Sequence, residues 1–223
     1  MIEPPEEHSK RTAVDLLLLS QGWLIGLLVV VVLGAAWLGY RLWQVSPPAE
    51  GSAEVTFARD MMVHHEQAVD MAFILHDRIA DADLRQFTLD IILTQQAQIG
   101  QMYGWLSVWG LPITGLQAPM QGPMGRMGMA SQEDVNALRT LPVAEAETSF
   151  LKLMILHHQG GVAMAQMALK LPVRPEVQRL AASIIESQQS EIDFMQQLLA
   201  ERGVKPVDAP AAMPTGMPGM ADH

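Results

Sequence analysis

The chain has 223 residues, a formal net charge of −10 at pH 7, no cysteine and 16 methionines. The negative charge offers no basic surface for nucleic acid, and the lack of cysteine excludes disulfides, thiolate metal sites, iron–sulfur clusters and thiol catalysis. Hydrophobic residues make up 49% of the chain and aromatic residues only 5%. A core of aliphatic side chains and methionine favours packed helices over sheets. Methionine both fills cores and binds soft metals, so its placement decides its role.

The first element is an apolar stretch that we expect to cross a membrane. Residues 14–45 form the predicted anchor, and residues 22–40 within it carry no charge, which satisfies the requirement for about 20 apolar residues. Trp23, Trp37 and Trp43 lie towards its two ends, where aromatic rings favour the membrane interface. A cleaved signal peptide is the alternative, but its apolar region is about 7–15 residues long and precedes a small-residue cleavage site. The pattern therefore favours an uncleaved anchor.

The charges around this stretch predict its orientation. Lys10 and Arg11 precede it, whereas only Arg41 follows closely, so residues 1–13 are expected in the cytoplasm. This predicts a single-pass protein of the bacterial cell membrane whose C-terminal domain lies on the periplasmic, extracytoplasmic side. Residues 46–53 contain two prolines and small residues, which is typical of a linker.

The rest of the chain contains one sequence unit written twice. Each residue of the second copy lies 93 positions after its counterpart (157 − 64 = 93). The same offset relates the Met-rich segments that follow each copy. We therefore predict a first repeat at 54–130, a connector at 131–146 and a second repeat at 147–223.

Each repeat is predicted to begin with a helical hairpin. Apolar residues recur at helical spacing over 54–79 and 82–109, and again over 145–170 and 175–202. The predicted fold class is all-α, with an N-terminal transmembrane helix and a four-helix bundle built from two tandem hairpins. Within the connector, the segment from Ser131 to Asp134 resembles a capping box and predicts a short additional helix.

Methionine and histidine side chains converge on one face of the first helix of each hairpin. In each His-His pair the first ring is expected to point into the bundle and the second to lie on the shoulder of that face. Burying four imidazoles in a small core costs stability unless every nitrogen is satisfied, and a metal would satisfy them. The alternative is that these side chains are ordinary core residues. The predicted ligands are Met61, His64, His65, Met71, Met154, His157, His158 and Met164.

Two further sets of residues are predicted to assist. Gln95 and Gln188 lie on apolar helix faces and could orient a histidine through its second ring nitrogen; hydrogen bonding to backbone or to another Gln is the alternative. Met102 and Met195 are likewise predicted to lie around the metal ligands. Accessory ligands are predicted in the Met-rich segments, where no core is expected to bury them, although a low-complexity tail is the alternative. They are Met120, Met124, Met127, Met129, Met213, Met217, Met220 and His223.

Ligand softness indicates the metal. Thioethers and imidazoles without a carboxylate on the same face favour Cu(I), and by extension Ag(I), over Mg, Ca, Mn or Fe. Glu66 and Asp70 point away from the ligand line, so no carboxylate pair is available for catalysis. We therefore expect a binding protein rather than an enzyme, acting in copper buffering, transfer or resistance with a copper donor or acceptor protein as partner. A haem- or copper-dependent redox protein and a structural adaptor with a His/Met core remain alternatives.

The two repeats carry matching motifs, Phe57-x3-Met61-x2-His64-His65 and Phe150-x3-Met154-x2-His157-His158, each followed by x5-Met-Ala. These motifs resemble the bacterial family catalogued as domain of unknown function 305. The resemblance covers about 54–202. It implies a ferritin-like four-helix bundle, export or membrane anchoring, copper binding and ligand roles for the eight Met and His residues named above. One departure is Gln98, where the second copy has Glu191 and the family usually has Glu, so the role of that carboxylate is not expected in the first copy.

Overall fold

The computed structural model describes residues 23–42, 46–79, 81–115, 118–120 and 127–208. These residues form six α-helices and no strand, which confirms the all-α prediction. The chain divides into two compact units, Met1–Pro47 and Pro48–His223.

The first unit contains helix α1, Trp23–Leu42. All its residues are exposed, and Arg41 is its only charged residue. By length and composition α1 is able to cross a membrane, and a signal sequence near the N-terminus meets the same criterion. The predicted ends of the anchor, residues 14–22 and 43–45, lie outside the described residues.

The second unit is built from two helical hairpins. Helix α2 (Ala53–His76) pairs with α3 (Ala82–Val108), and α5 (Val143–Leu169) pairs with α6 (Pro175–Glu201). The hairpins meet through α2 and α5, and the Phe87 and Phe194 rings of α3 and α6 lie 4.9 Å apart between centroids. The short helix α4 (Gln132–Thr140) packs on α2 and α5. The predicted bundle of two tandem hairpins is confirmed.

Local signals in the sequence account for the helix ends. The Asp81 carboxylate accepts a hydrogen bond from Leu84 N at 2.8 Å, and Ser131 Oγ accepts one from Asp134 N at 3.1 Å, so both act as N-caps. Ser131 thus starts the short helix that the capping box predicts. Helix α5 begins at Val143, inside the predicted connector, because Pro142 precedes it in an extended conformation and the chain can turn helical directly afterwards.

The hydrophobic core reflects the repeat. Six methionines are fully buried and fall into two clusters. The first methionine cluster contains Met61, Met102 and Met164, and the second methionine cluster contains Met71, Met154 and Met195. Every methionine of one cluster has its repeat counterpart in the other, and each cluster takes side chains from both repeats. This arrangement is expected when a pseudo-two-fold axis relates the two repeats and α2 and α5 pack antiparallel.

Candidate metal centre

Four histidines occupy the middle of α2 and α5. Along each helix they lie between a methionine of the first cluster and one of the second, and all four are 0% exposed. The rings of His64 and His157, which are repeat counterparts, are 3.7 Å apart between centroids. The ring centroid of His65 lies 6.3 Å from that of His64, and the ring centroid of His158 lies 6.2 Å from that of His157. These second rings, which were expected on the shoulder of the helix face, are also fully buried, and they contact Gln98 of α3 and Glu191 of α6.

Three of the four rings are anchored through Nε2. His64 Nε2 lies 3.1 Å from the Met127 carbonyl oxygen, His65 Nε2 lies 2.7 Å from Gln98 Oε1, and His158 Nε2 lies 2.5 Å from Glu191 Oε2. Each partner is an oxygen that accepts, so the ring nitrogen donates and carries the proton. In a neutral imidazole the lone pair then resides on Nδ1.

The remaining ring nitrogens have no hydrogen-bond partner. This holds for Nδ1 of all four histidines and also for Nε2 of His157. Leaving a buried polar group unpaired costs about 1–3 kcal/mol, so five such atoms in one core are a substantial cost. A soft cation would use these lone pairs as ligands, which is the simplest way to satisfy them together.

The donor set determines which cation fits. Among the described residues no group of three or more His, Asp or Glu side chains is arranged to hold a metal ion. Thioethers would therefore have to complete the coordination, and Met61 and Met154 lie one helical turn before the His-His pairs of their own helices. Imidazole with thioether suits Cu(I) and Ag(I), whereas Ca²⁺ and Mg²⁺ require several oxygen ligands.

The residues that orient the histidines differ from the prediction. Gln95 and Gln188 are buried, at 2% exposure each, but neither amide makes a hydrogen bond, and Gln188 packs against the backbone of Gly161. The hydrogen bonds to the second histidines are made one helical turn later, by Gln98 and Glu191. Position 98 therefore has a role in the first repeat after all, because an amide oxygen accepts from the ring as the carboxylate does.

The Met-rich segment of the first repeat also differs from the prediction. Met120 and Met127 are half-buried and pack against the core that contains the first methionine cluster, so they are not free thioethers. Gln67 fixes the same segment, since its amide donates to the Ala130 carbonyl at 3.0 Å and accepts from Ala130 N at 2.8 Å. Met129 lines a surface cleft with Met120. The other predicted accessory ligands, Met124, Met213, Met217, Met220 and His223, lie outside the described residues.

Burial also sets the protonation of the rings. Desolvation, followed by the proximity of His65, lowers the pKa of His64 to about 3. Desolvation lowers the pKa of His65 to about 4, although the hydrogen bond to Gln98 opposes it, and it lowers the pKa of His157 well below the usual value. These three rings are neutral at pH 7, so their lone pairs are available to a metal without loss of a proton.

We expect the metal-free protein to lose stability as the pH falls from 7 to 5. In the unfolded chain a histidine takes up its proton near pH 6.5, whereas in the folded protein His64 and His65 remain neutral down to about pH 3 and 4. Between its folded-state and unfolded-state pKa, each ring lowers the free energy of unfolding by up to about 1.4 kcal/mol for every pH unit of acidification. Urea unfolding at pH 7 and pH 5 measures the effect. Equal stability at the two pH values would contradict neutral, buried histidines.

Comparison with known proteins agrees with the motifs. The sequence model of the family described as domain of unknown function (DUF305) matches residues 54–199. A DUF305 protein from Streptomyces coelicolor, described as secreted, is 45% identical, with 70% of this chain and 98% of that chain covered and a TM-score of 0.67. A DUF305 fragment from Deinococcus radiodurans is 43% identical, with 69% and 99% covered and a TM-score of 0.62.

CopM is a further similar structure. In its Cu(II)-bound form it is 29% identical, with 67% of this chain and 97% of that chain covered and a TM-score of 0.58. It is also known in Cu(I)-bound and Ag-bound forms. No curated protein shows significant similarity to the chain. The match over the paired motifs and both hairpins confirms the resemblance inferred from the sequence, and the chain belongs to the DUF305 family.

Proposed function

We propose that this protein binds Cu(I), or Ag(I) in its place, at the buried histidines and methionines of the bundle. The observation that carries the proposal is the set of buried Nδ1 lone pairs without a partner, in a core that also holds six fully buried thioethers. The ion is cargo that the protein buffers or passes to another protein, and no catalytic turnover is involved.

Similarity to CopM supports this assignment. CopM carries Cu(II), Cu(I) and Ag in its solved forms; imidazole suits copper in both oxidation states, and thioether suits the soft ions Cu(I) and Ag(I). In this chain, coordination through Nδ1 would leave the Nε2 hydrogen bonds of His64, His65 and His158 intact. The bound ion would therefore add to the existing hydrogen-bond network and displace none of it.

We propose further that α1 anchors the protein in the cell membrane and leaves the bundle in the extracytoplasmic space. The exposed, apolar surface of α1 and the secreted relative from Streptomyces coelicolor both support export. Carbonate extraction of membranes, combined with N-terminal sequencing of the mature protein, tests the anchor. A soluble protein that begins after residue 42 would contradict it.

The geometry does not favour a haem bound between the two central histidines. The His64 and His157 rings are in van der Waals contact, at 3.7 Å between centroids, so a porphyrin plane does not fit between them. The absorption spectrum separates the two functions, because Cu(I) is colourless whereas bound haem gives an intense Soret band.

Replacing thioethers with leucine tests the metal-binding role of the core methionines. We expect the triple variant Met71→Leu/Met154→Leu/Met195→Leu to lose at least about 100-fold in Cu(I) affinity. Each change nearly conserves volume and costs less than about 1.5 kcal/mol, but each removes a soft ligand. Anaerobic competition between the full chain in detergent and a chromogenic Cu(I) chelator measures the affinity.

Met62→Leu is the matched control. Met62 is 5% exposed and packs in the core beside the first methionine cluster, but it is not part of the repeated motif, so Cu(I) affinity should not change. If the triple variant binds Cu(I) as tightly and in the same amount as the unchanged protein, the thioethers of the second methionine cluster are packing residues and not ligands.

A further inference from the structure

The two repeats differ at the position that holds the second histidine of each pair. Gln98 in the first repeat and Glu191 in the second are counterparts (191 − 98 = 93). Gln98 Oε1 accepts from His65 Nε2 at 2.7 Å, and Glu191 Oε2 accepts from His158 Nε2 at 2.5 Å. Both rings are 0% exposed. The two contacts therefore share one geometry and differ in the charge of the acceptor.

The charge matters because coordination changes the ring. When Nδ1 donates its lone pair to a cation, positive charge builds up on the imidazole, including the N–H at Nε2. A carboxylate stabilises that charge more than a neutral amide does, since charge-assisted hydrogen bonds are roughly twice as strong as neutral ones. Groups that hold the second nitrogen of a ligand histidine change metal affinity by about 10–100-fold.

The surroundings do not cancel this difference. In the described part of the chain His158 Nε2 donates its hydrogen bond to the Glu191 carboxylate, and no Lys or Arg is bridged to that carboxylate. The His158 ring is fully buried and the Glu191 side chain is 20% exposed, so water screens their interaction weakly.

We propose that the two histidine pairs are unequal sites. The pair His157–His158, whose second ring is held by Glu191, binds the first ion. The pair His64–His65, whose second ring is held by Gln98, binds the second ion more weakly. Gln98 and Glu191 are positioning residues that set this order. The inference rests on the proposed function. An ordered pair suits a protein that passes ions on, because the stronger site stays loaded while the weaker one exchanges.

Titration of the full chain in detergent with Ag(I), followed by NMR of ¹⁵N-labelled histidine, tests the order. Ag(I) is diamagnetic and avoids redox changes. The metal-free spectrum should show both His65 and His158 as the tautomer protonated at Nε2. At less than one equivalent of Ag(I) the Nδ1 signal of His158 should shift, and that of His65 should follow only at higher equivalents, with affinities at least about 10-fold apart.

Exchanging the two acceptors gives the matched variants. Glu191→Gln should make the sites fill together, Gln98→Glu should do the same by strengthening the weaker site, and the double exchange should reverse the order. If Glu191→Gln fails to fold, Gln98→Glu alone still tests the inference.

The possible failures are distinguishable. Simultaneous filling in the unchanged protein, or an order that the double exchange leaves as it was, overturns the inference but not the proposed function. The absence of any Ag(I)-induced shift at the four core histidines contradicts the proposed function itself.

Discussion

Replacing His157 with leucine is expected to stabilise the metal-free protein and to weaken its copper binding. Both ring nitrogens of His157 are buried without a hydrogen-bond partner, so the ring carries a desolvation cost that an apolar side chain of similar volume does not. We expect the free energy of unfolding at pH 7 to rise by about 1–3 kcal/mol. Cu(I) affinity should fall at least about 100-fold because a ligand is lost. Urea unfolding and chelator competition measure the two effects.

His65→Leu is the control for this substitution. The His65 ring is bonded to Gln98, so its removal leaves a buried amide unpaired, and we expect no gain in stability. A large loss of stability in His157→Leu together with unchanged Cu(I) affinity would mean that His157 is an ordinary core residue.

Replacing Gly160 with alanine is expected to displace the Met-rich segment of the first repeat. A Cβ atom at Gly160 would overlap the backbone carbonyl of Met127, which cannot move without the rest of its segment. His64 would then lose its Nε2 acceptor, and Gln67 would lose its contacts with Ala130. Overpacking of this kind costs about 1–3 kcal/mol. Urea unfolding and hydrogen exchange of residues 127–130 report the change.

The neighbouring Gly161→Ala is a close control. Gly161 is also inside α5, so both substitutions gain the same helix propensity, about 1 kcal/mol. At Gly161, however, the new Cβ meets the end of the Gln188 side chain, which can rotate away. We therefore expect Gly161→Ala to be near neutral. Equal effects of the two substitutions would show that Gly160 is not required for the approach of the segment.

The fold was predictable because its determinants are local or repeated. The 93-residue offset predicts two like hairpins, and Asp81 and Ser131 form the helix caps that their residue types favour. The helical periodicity also predicts burial of His64 and His157. Their mutual contact follows from their position beside the two-fold axis that relates the repeats, because only residues beside such an axis lie next to their own counterparts.

The partners of the histidines were not predictable from periodicity. The helical angle of a residue indicates which face it occupies, but not which turn of the neighbouring helix lies opposite, so periodicity predicts Gln95 as the partner and does not predict Gln98. The contact of Met127 with His64 depends on Gly160, which belongs to a different element. The sequence does contain one signal of this contact, because the first repeat has Gln67 and Ala68 where the second repeat has Gly160 and Gly161. Two adjacent glycines inside a helix indicate the close approach of another backbone segment.

X-ray absorption at the copper edge of the Cu(I)-loaded full chain tests the central claim most directly, because it identifies the atoms bound to the ion. We expect a mixed shell of sulfur and nitrogen, from the core thioethers and the Nδ1 atoms of the histidines. The sulfur contribution should decrease in Met71→Leu/Met154→Leu/Met195→Leu and persist in Met62→Leu. A shell of oxygen and nitrogen without sulfur, or a protein that retains no copper after desalting, would contradict a buried methionine–histidine site.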